Sequence, residues 1–315
     1  MKLTFLGTGT SCGVPTIGCQ CRTCQSTNPK DKRLRCSAYV VQGEAADKEA
    51  AHILIDCGPE FRLQALATGI KYIDAVLLTH SHADHLHGLD DLRIFSYVKL
   101  GGVRGVAEGS AKDLKVTESA GGGLPVYANS TAIKDLRYRF AYVFDPPKLG
   151  GGMPKIRLTD CAALTPEQPL TLKGIQALPV PMLHGPLPTA GWLLSCRGKD
   201  GKKHSIAYLT DCSSIPESSL ALIRQESGIL DHVVIDGLRR KPHSTHCSYE
   251  EALCYAGQLK PRNVWLTHLN HDLRHSEIAA FVRGLVKKNP ALEGIQQAGG
   301  IISPAYDALV LTAGE

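Results

Sequence analysis

The sequence predicts an α/β fold in which short strands alternate with amphipathic helices. Four β-rich runs each end at a polar residue or a glycine, so a reactive side chain can follow each strand. These runs are Lys2–Leu6, His52–Ile55, Ala75–Leu78 and Ser205–Leu209. Helices with an apolar stripe are predicted at Leu86–Tyr97, Thr131–Tyr138, Glu217–Arg224, Tyr249–Leu259 (after Ser248 as N-cap) and Ser276–Lys288.

The composition is typical of one domain spanning residues 1–315. The chain is 43% hydrophobic and 21% charged, which is enough apolar material for a single core. Its net charge of +5 is small, so a dedicated nucleic-acid binder is not expected, whereas an anionic small substrate is compatible. No signal-peptide pattern opens the sequence and no stretch has the roughly 18 apolar residues of a membrane span, so we expect a cytoplasmic protein.

A glycine- and proline-rich region at about 101–154 departs from this pattern. Gly101–Gly123 and Pro146–Pro154 show no periodicity, and they flank a strand and helix predicted within Val126–Tyr142. We interpret the region as an insertion that forms a mobile lid, with a tolerated surface loop as an equal alternative.

Histidine placement is the strongest chemical signal in the chain, since nine of the 13 histidines fall in two windows. His80 and His82 would point about 200° apart on a helix, so they can share one ion only in an extended segment or a turn. The strand predicted before them supplies that setting. Asp84 and His85, at the entry to the next helix, would then face a second ion.

Three further candidate ligands each follow an apolar strand: His184, Asp211 and His268. Each of them alone is more typical of a structural or surface residue, and the histidine turn alone is compatible with helix caps. Together they offer imidazole and carboxylate ligands suited to zinc, manganese or iron, with one carboxylate able to bridge. The sequence therefore predicts a site for two divalent metal ions.

These positions resemble the five ordered motifs of the metallo-β-lactamase superfamily, over nearly the whole chain. The resemblance implies a four-layer αβ/βα sandwich with the site at one edge of its two sheets. It implies that Asp211 bridges the two metals and that Asp56 orients the histidine turn by hydrogen bonding. The implied ligands of the first metal are His80, His82 and His184. The implied ligands of the second are Asp84, His85 and His268.

A structural zinc site is predicted from three cysteines within six residues. Cys19, Cys21 and Cys24 lie in a glycine-rich loop, and His271, three residues after His268, is the candidate fourth ligand. The alternative, a trio of unpaired loop thiols, is poorer because such thiols are reactive without a metal. The 11 cysteines of the chain are odd in number and scattered, which indicates a reducing compartment rather than disulfides.

The opening loop, the cysteine trio and the His268–His271 segment together resemble the PhnP-like cyclic phosphodiesterases. That resemblance implies cleavage of a small cyclic or nucleotide-like phosphodiester. The related tRNase Z enzymes carry a long arm that grips tRNA, and the short interval between His184 and Asp211 leaves no room for one. We therefore expect a small-molecule phosphodiester substrate, no membrane partner and no dedicated nucleic-acid arm. The sequence is compatible with a homodimer but does not specify one.

The predicted mechanism needs a nucleophile and an acid. Two zinc or manganese ions would lower the pKa of a shared water, so that metal-bound hydroxide attacks phosphorus, with Asp84 and Asp211 as catalytic ligands. A histidine is suited to protonate the departing alkoxide near neutral pH. His246 is preferred because it aligns with the general-acid histidine of the PhnP and tRNase Z group. His243 and, more weakly, His275 are alternatives.

Two other functions remain open from the residues alone. A thioester or lactone hydrolase would use the same hydroxide on a carbonyl carbon. A carrier or cofactor-biosynthesis protein of the PQQ pathway shares a similar cysteine loop, but that role gives no reason to keep a complete two-metal site. The basic run 239–241 is a candidate for holding a phosphate oxygen, although such runs are more often solvated loops.

Overall fold

The computed structural model of the protein describes residues 1–99, 114–116, 123–145 and 153–315. Within these ranges the strands are β1 (Lys2–Gly7), β2 (Ser37–Gln42), β3 (Ala51–Ile55), β4 (Ala75–Leu77), β5 (Tyr97–Lys99), β6 (Leu114–Val116), β7 (Leu124–Ala128), β8 (Ile156–Asp160), β9 (Leu170–Leu172), β10 (Ile175–His184), β11 (Leu187–Arg197), β12 (Lys203–Leu209), β13 (Ile229–Asp236), β14 (Asn263–Thr267), β15 (Ile302–Pro304) and β16 (Val310–Thr312).

The α-helices of the described ranges are α1 (Phe61–Thr68), α2 (Ala83–Leu86), α3 (Ser130–Arg139), α4 (Ala141–Phe144), α5 (Glu217–Glu226), α6 (Tyr249–Leu259), α7 (His275–Val286) and α8 (Pro290–Gln297). Short 3₁₀ helices cover Pro29–Asp31, Leu89–Phe95 and Cys161–Ala163. None of the helices in this part of the chain combines the length and the apolar content needed to cross a bilayer.

Most strands belong to two seven-stranded mixed sheets. The first sheet has the order β16-β1-β2-β3-β4-β7-β8, and the second has the order β15-β14-β13-β12-β11-β10-β9. In each sheet, three antiparallel pairings on one side are followed by three parallel pairings on the other. Parallel neighbours require crossover connections, and most of the helices lie in those crossovers.

The buried side chains show how the layers stack. Ile53 and Ile55 of β3 lie in the core between the two sheets, where they join Trp192 of β11. Leu54, between them in sequence, points to the opposite face and packs with Leu136 of α3 in an outer core. A third core joins the outer face of the second sheet to α5, α6, α7 and α8. The layers are helix, sheet, sheet and helix, which confirms the predicted four-layer sandwich.

The helices with clear local signals are confirmed. α6 has the predicted bounds, and it begins with a capping box in which Ser248 and Glu251 each accept a hydrogen bond from the other's backbone N–H. The predicted helices at 131–138, 217–224 and 276–288 correspond to α3, α5 and α7.

The helix predicted at Leu86–Tyr97 is wrong. α2 ends at Leu86, and a separate 3₁₀ helix covers Leu89–Phe95. The carbonyl of His85 accepts a hydrogen bond from the backbone N–H of Cys57 at 2.7 Å instead of from the next helical turn. The N–H of Gly88 likewise donates to the carbonyl of Cys57 at 2.8 Å. Tertiary pairing with the loop after β3 therefore ends the helix.

The region at about 101–154 is described only in part. β7 and α3 correspond to the strand and helix predicted within Val126–Tyr142, and β7 pairs with β4 and β8 in the first sheet. The glycine-rich parts on either side lie largely outside the described residues, so the lid stays a prediction.

Close packing between the loop after β3 and the histidine turn after β4 gives a test of the fold. A Cβ on Gly58 would lie 2.0 Å from the carbonyl oxygen of Asp84, whereas a Cβ on Gly284 in α7 would meet nothing within 4 Å. We expect Gly58→Ala to lower the free energy of unfolding by about 1–3 kcal/mol. Gly284→Ala should raise it by roughly 0.5–1 kcal/mol, because alanine favours the helix. Urea denaturation measures both changes, and equal effects would contradict the packing described.

Candidate metal centre

The turn after β4 carries four of the predicted ligands. The backbone is not helical from the end of β4 through His82, and α2 begins at the next residue. His80 and His82 therefore project from a non-helical segment, whereas Asp84 and His85 project from the first turn of α2. This arrangement separates the four side chains into two pairs.

A buried carboxylate, Asp56, holds this turn. Its Oδ1 accepts a hydrogen bond from the backbone N–H of Thr79 at 2.8 Å, and its Oδ2 accepts from the Thr79 hydroxyl at 2.8 Å and from Nδ1 of His85 at 2.7 Å. The Thr79 hydroxyl gives its proton to Asp56 and so accepts from Nδ1 of His80, at 2.9 Å. These bonds leave Nε2 of both histidines as the ligand atom.

The second sheet delivers the remaining predicted ligands to the same edge. His184 ends β10, Asp211 follows β12 and His268 follows β14. Asp211 is central to the arrangement. Its Oδ2 lies 3.2 Å from Nε2 of His85, 3.1 Å from Nε2 of His268 and 3.8 Å from Nε2 of His80.

The ligand atoms form two groups, in each of which one atom per residue lies within 4.8 Å of the others. The first group is His80, His82 and His184, and the second is Asp84, His85, Asp211 and His268. Six imidazole rings form a closed circuit with neighbouring centroids 4.3–5.9 Å apart, in the order His80, His82, His184, His246, His268 and His85.

Unpaired ring nitrogens show that this donor set fits divalent cations. Nε2 of His80, His85 and His268 is buried and has no hydrogen-bond partner within the described ranges. An unsatisfied buried polar atom costs roughly 1–3 kcal/mol, whereas one cation in each group would satisfy all three nitrogens. Nδ1 of His184 donates to the carbonyl of Thr245 at 2.5 Å, which leaves its Nε2 as a ligand as well.

The electrostatics of the centre also suit metal ligands. Burial lowers the pKa of His80 and brings the pKa of His184 to about 4, so both imidazoles are neutral at pH 7. Burial raises the pKa of Asp84, but the charge of His85 outweighs it and holds that pKa below its ordinary value. His268 outweighs burial in the same way and lowers the pKa of Asp211. Neutral imidazoles and ionised carboxylates are the forms that bind cations, so His80, His184, Asp84 and Asp211 are already in that form. Burial lowers the pKa of His85 and of His268, but Asp211 outweighs it and raises both pKa values, so a bound cation would displace the protons of these two rings.

The cysteine loop closes on His271. Its Nδ1 lies 3.4 Å from Sγ of Cys19 and 3.5 Å from Sγ of both Cys21 and Cys24. A tetrahedral zinc with ordinary bond lengths requires sulfur-to-nitrogen separations of about 3.5 Å, so the four residues fit that ion. The backbone N–H of Cys24 lowers the pKa of Cys21 to about 6, so its thiolate predominates at pH 7.

A buried arginine ties this loop to the metal centre. Arg33 donates to the carbonyl oxygens of Asn270 and Leu273, which follow His268 and flank His271. Because one short loop carries a predicted ligand of each site, the geometry of the cysteine cluster is linked to that of the candidate metal centre.

His246 lies beside the centre, paired with a residue that the sequence analysis missed. Its Nδ1 is 2.7 Å from Oδ2 of Asp236, which is fully buried at the end of β13 and also accepts from the backbone N–H of Cys212 at 3.0 Å. The His246 ring stacks on that of His268, with centroids 4.5 Å apart. Asp236 ends β13 directly after the apolar residues Val233–Ile235, and the rule that identified Asp211 at a strand end could have found it.

The structure shows where the other candidates for the general acid and for phosphate binding lie and what they contact. The His243 ring lies 5.3 Å from that of His246, whereas His275 packs against Tyr306 beside the cysteine loop. Arg239 donates to the carbonyls of residues 241 and 242 in its own loop, and Arg240 lies over the Phe281 ring. The two arginines of the basic run therefore have structural partners.

Paired cysteine substitutions test the zinc interpretation. We expect Cys21→Ser to lose one tightly held zinc per chain and to lower the melting temperature, because serine is a poor zinc ligand at neutral pH. Cys254→Ser, at an exposed cysteine on α6, is the matched control and should change neither property. Elemental analysis and thermal melting measure the outcome, and an unchanged zinc content in Cys21→Ser would reject the site.

Comparison with known proteins agrees with this geometry. Residues 51–269 match the model of the β-lactamase superfamily domain. An octanoyltransferase of Porphyromonas gingivalis strain W83 is 33% identical over 272 residues, covering 86% of this chain and 46% of that protein, so the chain spans about half the length of this relative.

Solved structures give the same result. A diphosphatase of the PhnP family superimposes with a TM-score of 0.71 and 35% identity, covering 99% of this chain and 97% of that one. Zinc-bound PqqB from Methylobacterium extorquens (TM-score 0.61, 18% identity, 99% and 100% covered) and the short human tRNase Z (0.57, 16%, 99% and 99%) share the fold. Together these comparisons show that the chain belongs to the metallo-β-lactamase superfamily of metal-dependent hydrolases and, within it, to the PhnP family.

Proposed function

We propose that this protein is a phosphodiesterase that hydrolyses a small cyclic or nucleotide-like phosphodiester. The observation that carries the proposal is the His246–Asp236 pair, which sets an oriented imidazole beside two adjoining groups of metal ligands. We assign two divalent ions, zinc or manganese, to these groups and a structural zinc to the cysteine cluster. The 35% identity to a PhnP-family diphosphatase supports cleavage at phosphorus.

The cations and the residues of the centre would have different roles in such a reaction. Two bound divalent cations would supply charge neutralisation at the phosphoryl oxygens and a lowered pKa for a bound water. Oδ2 of Asp211 lies near Nε2 of His80 in the first group and near Nε2 of His85 and His268 in the second, so this carboxylate joins the two groups. Asp56 and Thr79 fix the ring orientation of His80 and His85, so no reorganisation is needed when charge develops.

His246 is placed to give the leaving group its proton. Because its Nδ1 donates a hydrogen bond to Asp236, Nε2 is the nitrogen that can donate a proton to the substrate, and the buried carboxylate orients the ring for that transfer. An alkoxide requires that proton because it is strongly basic, whereas a thiolate, with a pKa of about 8.5, leaves without it. The pair is therefore more useful for an oxygen ester than for a thioester.

Carbonyl chemistry is the second candidate. The P. gingivalis relative is named for octanoyl transfer, a reaction at a carbonyl carbon, although this chain corresponds to only 46% of it. A lactone also releases an alkoxide, so His246 would serve it equally well. The likeness to PqqB, at 18% identity, bears on the fold alone and gives the carrier function no support.

A substrate panel separates these reactions. We expect the zinc- or manganese-loaded protein to hydrolyse bis(p-nitrophenyl) phosphate and 2′,3′-cyclic nucleotides, and to leave a thioester and a lactone intact. Asp211→Ala should abolish that activity because the second ligand group loses a carboxylate whose Oδ2 also lies 3.8 Å from Nε2 of His80 in the first group. Asp47→Ala, in the exposed turn before β3, is the control and should retain it. Turnover of the carbonyl substrates alone would replace the proposal with the second candidate.

A single substitution tests the acid. His246→Ala should retain the metals and lower kcat for 2′,3′-cyclic nucleotides by about 10²–10⁴-fold. Its effect on bis(p-nitrophenyl) phosphate should be far smaller, because p-nitrophenolate leaves as a stable anion. His87→Ala, at an exposed histidine, provides the comparison. Equal losses on both substrates would show that His246 does not act as the acid.

A further inference from the structure

His243 stands on the outer side of the proposed acid. It lies in the loop between β13 and α6 and is half-buried. Its ring centroid is 5.3 Å from that of His246, and among the ring contacts of the described residues it adjoins His246 alone. His246 itself adjoins His184 and His268, whose centroids are 4.4 Å and 4.5 Å away. The order outward from the metal ligands is therefore His246 and then His243.

Hydrogen bonds from the next turn set the tautomer of His243. The backbone N–H of Thr245 is 3.3 Å from Nδ1 of His243, and the Thr245 hydroxyl is 3.2 Å from it. A backbone N–H can only donate, so Nδ1 is an acceptor and the ring proton is on Nε2. No residue in the described ranges accepts a hydrogen bond from that Nε2–H. His243 thus presents an oriented donor.

The two arginines of this loop have other partners. Arg239 bonds the carbonyls of Lys241 and Pro242, and Arg240 stacks on Phe281. Within this loop, His243 is the side chain whose ring lies beside that of the proposed acid, His246.

We propose that Nε2–H of His243 binds an oxygen of the substrate's leaving group, a contact that rests on the proposed function. His246 protonates the departing oxygen, and His243 lies farther from the metal ligands than His246. A substrate oxygen that accepts a hydrogen bond from His243 must therefore belong to the leaving group. The substrates selected are those whose leaving group carries further acceptor oxygens, as a ribose or a phosphate does. Simple aryl phosphodiesters lack this contact and gain nothing from His243.

Two substrates and three variants test this inference. We expect His243→Ala to lower kcat/KM for 2′,3′-cyclic AMP by about tenfold, mainly through KM, since one hydrogen bond is worth roughly 1.4 kcal/mol. Its kcat/KM for bis(p-nitrophenyl) phosphate should stay within about threefold of the wild type. His243→Gln should recover most of the loss because its amide nitrogen reaches the position of Nε2. His243→Asn, whose amide nitrogen lies near the position of Nδ1, should not.

Ser244→Ala, at an exposed neighbour in the same loop, is the control and should match the wild type on both substrates. Nitrogen-15 spectra of the imidazole rings provide a readout independent of activity, and they should show the His243 proton on Nε2. A proton on Nδ1 would overturn the inference even if His243→Ala does not fold.

The outcomes separate this inference from the proposed function. A wild-type protein that cleaves neither phosphodiester overturns both. An active wild type with equal losses, or no losses, on the two substrates in His243→Ala overturns the role of His243 and leaves the phosphodiesterase standing. A loss confined to the cyclic nucleotide and recovered by glutamine supports it.

Discussion

The candidate metal centre depends on one buried anion, the carboxylate of Asp56. Burial raises its pKa, and the charge of His85 opposes that effect. Three hydrogen bonds compensate the carboxylate for its lost hydration, and they run to the turn that follows the adjacent parallel strand. The chain takes a positive φ of 58° at Asp56, which turns it sharply out of β3. The ring orientations of His80 and His85, and hence their approach to Asp211, follow from this contact.

The two sheets explain why predicted metal-binding residues that are distant in sequence meet. Parallel strands end at the same edge of a sheet, and open α/β sheets bind small molecules and ions at that edge. In the second sheet β12, β13 and β14 are parallel neighbours, and they are followed or ended by Asp211, Asp236 and His268. In the first sheet β3 and β4 are parallel and lead into Asp56 and the histidine turn. The antiparallel β10 adds His184 from the far side of β11.

The packing around the candidate metal centre also includes the cysteine cluster and the first loop of the chain. Arg33 is fully buried and holds the loop that follows β14 through the carbonyl oxygens of Asn270 and Leu273. That loop carries His268 into one site and His271 into the other. The backbone N–H of Leu269 donates to the carbonyl of Thr8, so the first loop of the chain packs against the same segment. This packing supports both candidate sites and holds their side chains in place.

The sequence by itself determined the elements whose signals are local. The capping box of α6, the apolar stripes of α3, α5 and α7 and the spacing of the histidine turn all involve neighbours within a few residues, which is the range of helical hydrogen bonds. It also placed His184, Asp211 and His268 at strand ends. Only the tertiary structure showed that Cys57 ends α2, that Asp236 orients His246 and that Thr245 orients His243. It also showed that the two arginines of the basic run have structural partners. These outcomes rest on backbone and side-chain pairs that sheet order and loop packing bring together. The periodicity of apolar residues along the sequence carries no information about such pairs.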